Sequence, residues 1–177
     1  MSLPTRVRTY WTFIQVAAEK HSLDPYLVAA IMDRESLCGL ALRPEGPGGT
    51  GDGTHGRGLM QIDDRAFPEF CTTLMPDGTP LWADPLANIE QACAILAKSR
   101  PRFVFAKAPS VAMVAAYNCG AGRVIHALLH LTQPTTAEAE LAELDQLCTH
   151  GDYCSDVIRR IGQFKAPPIS AVPPPGV

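Results

Sequence analysis

The chain has 177 residues, of which 46% are hydrophobic and 19% are charged, and its formal net charge is −3. This length and composition are sufficient for one domain with a core of its own. The lack of a basic excess argues against a general nucleic-acid-binding protein. No uninterrupted apolar run is long enough to predict insertion into a membrane.

The first predicted element is a helix near the N-terminus, where Val7, Tyr10, Ile14 and Ala18 recur at helical spacing. Two Asp-Pro pairs, Asp24-Pro25 and Asp84-Pro85, then have the form of a helix N-cap followed by proline at the first helical position. The helix after Asp24 should end near Gly39. Further helical patterns follow Asp84 and Pro109 and cover residues 124–131, 137–147 and 156–164.

The middle and the end of the chain differ from these helical segments. Residues 43–80 are rich in glycine, proline and threonine, and any sheet should lie there. The Pro-rich tail at residues 166–177 should form an extended arm or linker. We therefore predict a mainly α (α+β) fold, with one domain over residues 1–165 that contains a small β or irregular insertion at about 43–80.

The six cysteines, at positions 38, 71, 93, 119, 148 and 154, have three interpretations. An even number permits disulfides, and Cys148 and Cys154 are close enough in sequence for a local bridge. Cys148, His150 and Cys154 could also suggest zinc, but no paired Cys-x-x-Cys spacing supports such a site. Buried free thiols are the third interpretation. Disulfides would indicate an oxidising working site, and we predict no metal and no cofactor.

Glu35 is the most unusual residue of the predicted helices. It follows Ile31 by four positions and Val28 by seven, which places it on the apolar face of its helix. Burial there, and the nearby negative end of the helix dipole, would both favour the protonated acid over the carboxylate. Such a carboxyl group can act as a general acid near neutral pH. A buried salt bridge to Arg34, Arg43 or another cation is the alternative.

The stretch GDGTHGRGLMQIDD, from Gly51 to Asp64, combines glycines with carboxylates at both ends. Glycines would let a sugar chain approach the backbone, and a general acid that faces an acidic loop is the arrangement of a two-carboxylate glycosidase. Asp52 and Asp63 could position a water molecule. Because adjacent strand residues face opposite sides, only one of Asp63 and Asp64 should point into a cleft. An ordinary surface loop entering a hairpin is the alternative.

An ordered set of short motifs extends this interpretation: AI at 30–31, RES at 34–36, GD at 51–52, GLMQID at 58–63, AYN at 116–118, GAG at 120–122 and DY at 152–153. In this order and at these intervals they resemble goose-type lysozymes and the related soluble lytic transglycosylases of glycoside hydrolase family twenty-three. The resemblance covers about residues 23–161 and implies a lysozyme-like fold. It also implies peptidoglycan as the substrate, cut between N-acetylmuramic acid and N-acetylglucosamine.

The resemblance also implies residue roles. Glu35 would be the general acid, and Asp52 and Asp63 would hold the attacking water. Retention of both acids favours inverting hydrolysis, because lytic transglycosylases typically lack them and form an anhydro product. The residues that the resemblance assigns to substrate binding are Gly58, Leu59, Met60, Gln61, Tyr117, Asn118 and Tyr153. Among these, Tyr153 would also hold Glu35 in place.

For these residues more ordinary roles remain open, since tyrosines often lie at the edge of a core, Met60 could be a core residue and Asn118 a helix cap. Residues 131–150, which include Glu138, Glu140, Glu143 and Asp145, resemble an insertion that could cover one end of the cleft or meet a partner.

Three other functions are open: a lytic transglycosylase, a non-catalytic wall-binding module, and a helical interaction protein. The N-terminus does not resemble a secretory signal. We therefore expect synthesis in the cytoplasm and delivery to the periplasm or cell wall by a secretion system or phage holin, as a toxin effector or endolysin. Loss of a signal peptide is the alternative. An injected toxin would have an immunity protein that occludes its cleft, and we expect neither nucleic acid as a partner nor membrane insertion.

Overall fold

The computed structural model describes residues 3–131 and 136–166. Within these ranges the α-helices are α1 (Thr5–Lys20), α2 (Pro25–Ser36), α3 (Pro68–Thr72), α4 (Pro85–Ser99), α5 (Pro109–Cys119), α6 (Ala121–His130), α7 (Ala137–Leu147) and α8 (Tyr153–Lys165). Three short strands, β1 (Thr50–Gly51), β2 (Gly56–Arg57) and β3 (Ile62–Asp63), form an antiparallel sheet in the order β1-β2-β3. The predicted mainly α fold with a small β region is therefore confirmed.

The helix starts follow from local sequence. Asp24 accepts a hydrogen bond from the N–H of Tyr26 at 2.9 Å, and Asp84 accepts one from the N–H of Ala87 at 2.8 Å. A proline follows each cap and needs no hydrogen-bond acceptor for its nitrogen. Both predicted N-caps are confirmed. The predicted tail at residues 166–177 lies, apart from Ala166, outside the described residues, so the domain boundary there stays a prediction.

Helix α2 ends at Ser36, before the predicted end near Gly39. The next residue, Leu37, has a left-handed conformation with φ 49° and ψ 42°. The hydroxyl of Ser36 is buried, donates to the carbonyl of Leu59 at 2.6 Å and accepts from the N–H of Gly39 at 3.0 Å. A tertiary contact therefore ends the helix early and ties its last turn, which carries Glu35, to the segment between β2 and β3.

The core extends from the helices to the sheet. Helix α2 packs against α1 and α8, α1 also packs against α4, and α5 contacts α4, α6, α7 and α8. The large side chains that are fully or almost fully buried include Ile14, Ile31, Met32, Leu59, Met60, Ile89, Leu96, Phe103 and Tyr153. Burial of each such side chain stabilises the fold by about 1.5–3 kcal/mol relative to exposure. Leu59 and Met60 therefore anchor the β2–β3 segment to the helices.

A network of charged side chains joins α1, α2 and α8. Asp33 is fully buried and accepts hydrogen bonds from Arg6, at 2.5 and 3.0 Å, and from Arg160. Burial alone would raise the pKa of Asp33, but the two guanidinium groups outweigh burial and hold that pKa below its ordinary value. Arg160 also donates to Asp156 at 2.7 Å, and Arg34 donates to Asp156 at 3.0 Å. The network thus fixes α8 against the end of α2.

Candidate active site

A cleft of about 980 Å³ brings together residues from distant parts of the chain. Of the residues predicted for the site, six line it: Glu35, Gln61, Asp63, Tyr117, Asn118 and Tyr153. They come from the end of α2, from the β2–β3 turn and β3, from α5, and from the start of α8. The cleft is thus formed where the helices meet the sheet.

Glu35 lies half-buried in this cleft, in the last turn of α2. The hydroxyl of Tyr153, a residue that is only 2% exposed, donates a hydrogen bond to it. Burial and the charge of Glu35 raise the pKa of Tyr153 well above its usual value, so that its phenol stays protonated as a donor. The hydrogen bond therefore constrains the Glu35 carboxyl group from the α8 side.

The cations named as alternative partners of Glu35 have other contacts. Arg34 donates to Asp152 at 2.6 Å and to Asp156 at 3.0 Å, and its guanidinium lies 5.6 Å from the ring centroid of Tyr153. Arg43 donates to the carbonyl of its neighbour Leu42 at 2.8 Å. Arg34 thereby holds the start of α8, and with it Tyr153, next to α2.

Tyr117 links α5 to the β2–β3 segment. Its hydroxyl donates to the carbonyl of Met60 at 2.7 Å. Burial, and then the charge of Glu35, raise the pKa of Tyr117 well above its usual value. Tyr117 thus lines the cleft as a neutral phenol, and its hydroxyl is already hydrogen-bonded within the protein.

Gly58, Leu59 and Met60 are not among the described residues that line the cleft, and their role in substrate binding stays a prediction. The side chains of Leu59 and Met60 are fully buried in the core. The N–H of Met60 donates to the side chain of Asn88 at 2.8 Å, and a Cβ on Gly58 would lie 2.6 Å from the Asn88 amide nitrogen. These residues lie behind the cleft and support it. A motif identifies residues but does not give their orientation.

Gln61 lines the cleft and explains two of the glycines. Its side-chain amide donates to the carbonyl of Gly58 at 2.7 Å. A Cβ on Gly51 or Gly56 would lie 2.3 or 2.2 Å from the Gln61 side-chain oxygen. Side chains at those two positions would therefore displace Gln61. Here the glycines make room for the protein's own glutamine, whereas the sequence suggested that they expose backbone to a sugar.

Asp63 and Asp64 have different environments. Asp63 lines the cleft, and Arg65 donates to its two oxygens at 2.9 and 2.7 Å. This pairing lowers the pKa of Asp63 to about 2. Asp64 is not among the described residues that line the cleft and pairs with His55 at 2.9 Å and Arg57 at 2.5 Å. Those two partners lower its pKa. Of these two adjacent acids, Asp63 is therefore the one that lines the cleft.

Asp52 begins the 3-10 turn Asp52–Thr54 that follows β1. Its backbone lies at the same end of the sheet as Asp63, because Gly51 pairs with Gly56 and Gly56 pairs with Asp63. The side chain of Asp52 lies outside the described part of the structure. Its predicted role in holding water therefore stays a prediction.

Asn118 shapes one end of the cleft. Its side-chain oxygen accepts hydrogen bonds from the N–H of Thr149 at 2.9 Å and from the Thr149 hydroxyl at 3.1 Å. Thr149 and His150 both line the cleft and belong to the 3-10 turn Thr149–Gly151. The C-terminal part of the segment predicted as an insertion, residues 131–150, therefore forms a cleft wall. Residues 132–135 of that segment lie outside the described residues.

Two acids of that segment cap other elements. Glu140 accepts from the N–H groups of Lys107 and Ala108, both at 2.9 Å, just before α5. Asp145 accepts from the N–H of Cys154 at 2.7 Å, in the first turn of α8. Both side chains are buried. They satisfy backbone donors that would otherwise be buried without an acceptor.

All six cysteines lie in the described part of the chain and are free thiols. Of the three interpretations of the cysteines, this structure therefore supports free thiols. Cys119 lines the cleft, and the Cys148 thiol hydrogen-bonds to both Cys119 and Cys154. Across residues 3–131 and 136–166, no group of three or more His, Cys, Asp or Glu side chains is placed to hold a metal ion. No helix within those ranges has both the length and the apolar character that a membrane crossing requires.

Sequence reasoning missed several residues of the cleft. The basic side chains of Arg34, Lys98 and Arg102 line it, as does Phe67. A signal was present, because Ile95, Lys98 and Arg102 recur at spacings of three and four residues. That spacing places them on one side of a helical segment, but only the packing of α4 shows that this side faces the cleft.

Comparison with known proteins relates the chain to lysozymes of the g type. Lysozyme G of Dromaius novaehollandiae is 28% identical over 160 residues, which cover 88% of this chain and 66% of that protein. Lysozyme g of Casuarius casuarius is 29% identical, with 88% of this chain and 72% of that protein covered. Lysozyme g of Takifugu rubripes is 31% identical over 175 residues, with coverages of 91% and 76%. The chain thus spans about two thirds to three quarters of the length of these relatives. The family model for lysozyme g matches residues 4–167, and the chain belongs to that family.

Proposed function

We propose that the protein is a muramidase, which hydrolyses the β-1,4 bond between N-acetylmuramic acid and N-acetylglucosamine in peptidoglycan. Membership of the lysozyme g family supports a glycoside hydrolase activity. The observation that carries the proposal is that Glu35, held by Tyr153, shares one cleft with the ionised acid Asp63.

In the proposed reaction Glu35 is the general acid that protonates the glycosidic oxygen as the bond to C1 breaks. A general acid must present its proton to one atom of the substrate in a defined orientation. The Tyr153 hydroxyl occupies one side of the carboxyl group. We propose that the proton passes to the sugar from the other oxygen of this carboxyl group.

Asp63 is proposed to hold the attacking water together with Asp52. Because the pKa of Asp63 is lowered to about 2, the group is ionised at neutral pH but is a weak base. We therefore propose that it orients the water and stabilises positive charge at C1. As the water bonds to C1, the proton that it loses passes to solvent beside the partly exposed Asp63 side chain, and a proton from solvent restores Glu35 after the leaving sugar has taken its proton. In inverting enzymes the acid and the water-holding carboxylate stand roughly 6.5–9.5 Å apart, which leaves room for the water.

The alternatives predict different products. A lytic transglycosylase would form a 1,6-anhydro end through attack by the sugar's own hydroxyl group and would leave Asp63 without a role in holding water. A non-catalytic wall-binding module would release no products. The presence of Asp63 in the same cleft as Glu35 favours hydrolysis.

The test is mass spectrometry of the muropeptides that the protein releases from purified sacculi, with Glu35→Gln alongside. We expect reducing N-acetylmuramic acid ends from the wild type and none from the variant. Anhydro ends would establish the transglycosylase. Equal release by both proteins would show that Glu35 is not the acid.

We further propose a cell-wall lytic role, as a toxin effector or a phage endolysin made in the cytoplasm and delivered to the periplasm or cell wall. A dedicated immunity protein would then act by occluding the cleft. Production in a Gram-negative host tests this role. We expect lysis when the protein is directed to the periplasm and no lysis when it stays in the cytoplasm, with Glu35→Gln harmless in both. Survival of the cells with periplasmic wild-type protein would contradict this role.

A further inference from the structure

Two cations in the cleft have no role in the mechanism proposed above. Lys98 lies in the last turn of α4, and Arg102 lies in the 3-10 turn Arg100–Phe103 that follows it. Both side chains are exposed and both line the cleft. They are four residues apart, so the two positive charges lie on one side of the segment.

The lack of a carboxylate partner distinguishes these cations from others near the cleft. Arg34 pairs with Asp152, and Arg65 pairs with Asp63. Within the described residues, no ion pair or side-chain hydrogen bond involves Lys98 or Arg102. The negative end of α4 can account for Lys98 but not for Arg102, which lies beyond the helix. Like charges four residues apart also repel slightly.

The proposed substrate offers one kind of group that would pair with them. N-acetylglucosamine is neutral, whereas each muramic acid carries a lactyl arm. That arm ends either in its own carboxylate or in a peptide that bears carboxylates, and all of these are ionised at neutral pH. Arginine binds carboxylates through a planar fork, and lysine adds a point charge.

We propose that Lys98 and Arg102 form a subsite for a carboxylate on the lactyl arm of muramic acid. The inference rests on the proposed function, because it takes peptidoglycan as the substrate. The ionised acid Asp63 comes from β3 and repels the same carboxylate, whereas the cations come from the end of α4. The charges of the cleft therefore orient the glycan, which alternates charged and neutral sugars. This orientation selects which sugar lies on each side of the cleaved bond.

The test measures binding in the Glu35→Gln background, so that no substrate is consumed. The variant pair is Lys98→Gln with Arg102→Gln. The matched control is Arg8→Gln with Lys107→Gln, which removes the same charge from exposed residues that are not among those lining the cleft. Calorimetry would compare peptide-bearing glycan strands, strands stripped of peptide so that the lactyl carboxylate is free, and a neutral hexamer of N-acetylglucosamine.

We expect the Lys98/Arg102 pair of substitutions to raise Kd for a carboxylate-bearing ligand roughly five- to twentyfold, since each exposed charge pair contributes a factor of about two to five. The Kd for the neutral hexamer should change less than twofold, and the control pair of substitutions should leave the Kd of every ligand unchanged. Added salt should reduce the difference, because the Debye length falls from about 10 Å at 0.1 M to about 3 Å at 1 M. Circular dichroism would check that each variant is folded.

The two anionic ligands distinguish the source of the carboxylate. A loss of affinity confined to peptide-bearing strands would assign the subsite to a carboxylate of the peptide. A loss of affinity confined to stripped strands would assign it to the lactyl carboxylate. The proposal would be overturned if the Lys98/Arg102 variant lost affinity for the neutral hexamer to the same extent. It would also be overturned if the variant lost affinity for no ligand, or if no ligand bound at all. Failure of the proposed hydrolysis is seen separately, as the absence of reducing ends from the wild type while charge-dependent binding persists.

Discussion

Tyr153 is the side chain through which the helical core acts on Glu35. Its ring is almost fully buried, and its hydroxyl has a single described hydrogen-bond acceptor, the Glu35 carboxyl group. The ring cannot move without disturbing the core, so the hydroxyl is a fixed point against which a flexible carboxyl group is oriented. Orientation of a reacting group is one of the larger contributions that a protein makes to a rate.

We therefore expect Tyr153→Phe to reduce kcat about tenfold, a loss of about 1.4 kcal/mol of transition-state stabilisation, while KM changes little. The reason is that the Glu35 carboxyl group gains rotational freedom while the sugar contacts remain. Steady-state kinetics on soluble glycan strands measures the split between kcat and KM. Tyr10→Phe, at a partly buried position of α1 outside the cleft lining, is the control and should leave both unchanged. A wild-type kcat for Tyr153→Phe would show that the Tyr153 hydroxyl does not orient Glu35 for the reaction.

Arg65 determines the charge of Asp63 in acid. With Arg65 in place the pKa of Asp63 is about 2, so Asp63 remains a carboxylate across the range from pH 3 to 7. Arg65→Met removes the guanidinium, and the pKa of Asp63 should rise towards the ordinary value of 3.8. The variant should then lose activity as the pH falls below about 4, where the wild type does not yet protonate Asp63. The ratio of the two kcat/KM profiles between pH 3 and 7 checks this, and superimposable profiles would contradict it.

The sequence predicted Glu35 as the acid, and the resemblance predicted that Tyr153 holds it, but the other contacts around the cleft were not predicted. Helical spacing alone placed Glu35 on a buried face, because the period of a helix is fixed by its backbone. The same argument could not place Leu59 and Met60, since the short segment between β2 and β3 has no period from which to read a face. Lys98 and Arg102 were missed for a related reason. Whether an exposed helical side faces water or a cleft depends on which elements pack beside it.

At the scale of elements, the attachment of α8 to α2 determines whether Tyr153 can reach Glu35. Asp156 is the centre of that attachment, because it accepts from Arg34 and Arg160 and also bonds Arg159. Burial alone would raise the pKa of Asp156, but the three guanidinium groups outweigh burial and lower that pKa to about 2. The carboxylate form is therefore more stable in the folded protein than in the unfolded chain.

This difference predicts how stability depends on pH. The folded pKa of Asp156, about 2, lies below the ordinary value of 3.8, so the stabilisation is fully present above the ordinary value and is lost as the pH falls to about 2. We expect Asp156→Asn to lower the free energy of unfolding by about 2 kcal/mol at pH 7, and the difference from wild type to shrink between about pH 5 and 2. Urea unfolding of both proteins at several pH values measures this difference in the free energy of unfolding.

Glu45→Gln is the control for this prediction, because Glu45 is exposed and forms no ion pair within the described residues. It should leave the free energy of unfolding unchanged within about 0.5 kcal/mol. A difference between Asp156→Asn and wild type that stays constant down to pH 2 would show that the loss does not arise from the charge of Asp156.

Helix starts and helix ends were not equally predictable. The starts of α2 and α4 follow from Asp-Pro pairs, whose capping hydrogen bonds are local and need only two to four consecutive residues. The end of α2 depends on Ser36 reaching the carbonyl of Leu59, which lies in another element. Such a contact exists only after the sheet has docked on the helices. Sequence patterns therefore placed the end too late.

For the molecule as a whole, the question is whether covalent cross-links are needed to hold these elements together. The core contains side chains from all parts of the described chain, and the ion network joins α1, α2 and α8. A chain of this length can be stable on such packing alone. The even number of cysteines nevertheless left disulfides open, and in the described part of the chain all six are free thiols.

The reactivity of the thiols tests whether the fold is stable without disulfides. Burial raises the pKa of Cys93 to about 12. A hydrogen bond from Cys119 lowers the pKa of Cys148, but its hydrogen bond to Cys154, together with burial, outweighs this and raises it to about 12. Thiolates are the reactive species, so these thiols should react slowly with Ellman's reagent at pH 8 in the folded protein. After unfolding in guanidinium without reductant, all six should react at once. Fewer than six would reveal a disulfide, and a fall in Tm on adding dithiothreitol would show that the bridge stabilises the fold. If all six react and the reductant leaves Tm unchanged, packing and ion pairs alone maintain the cleft.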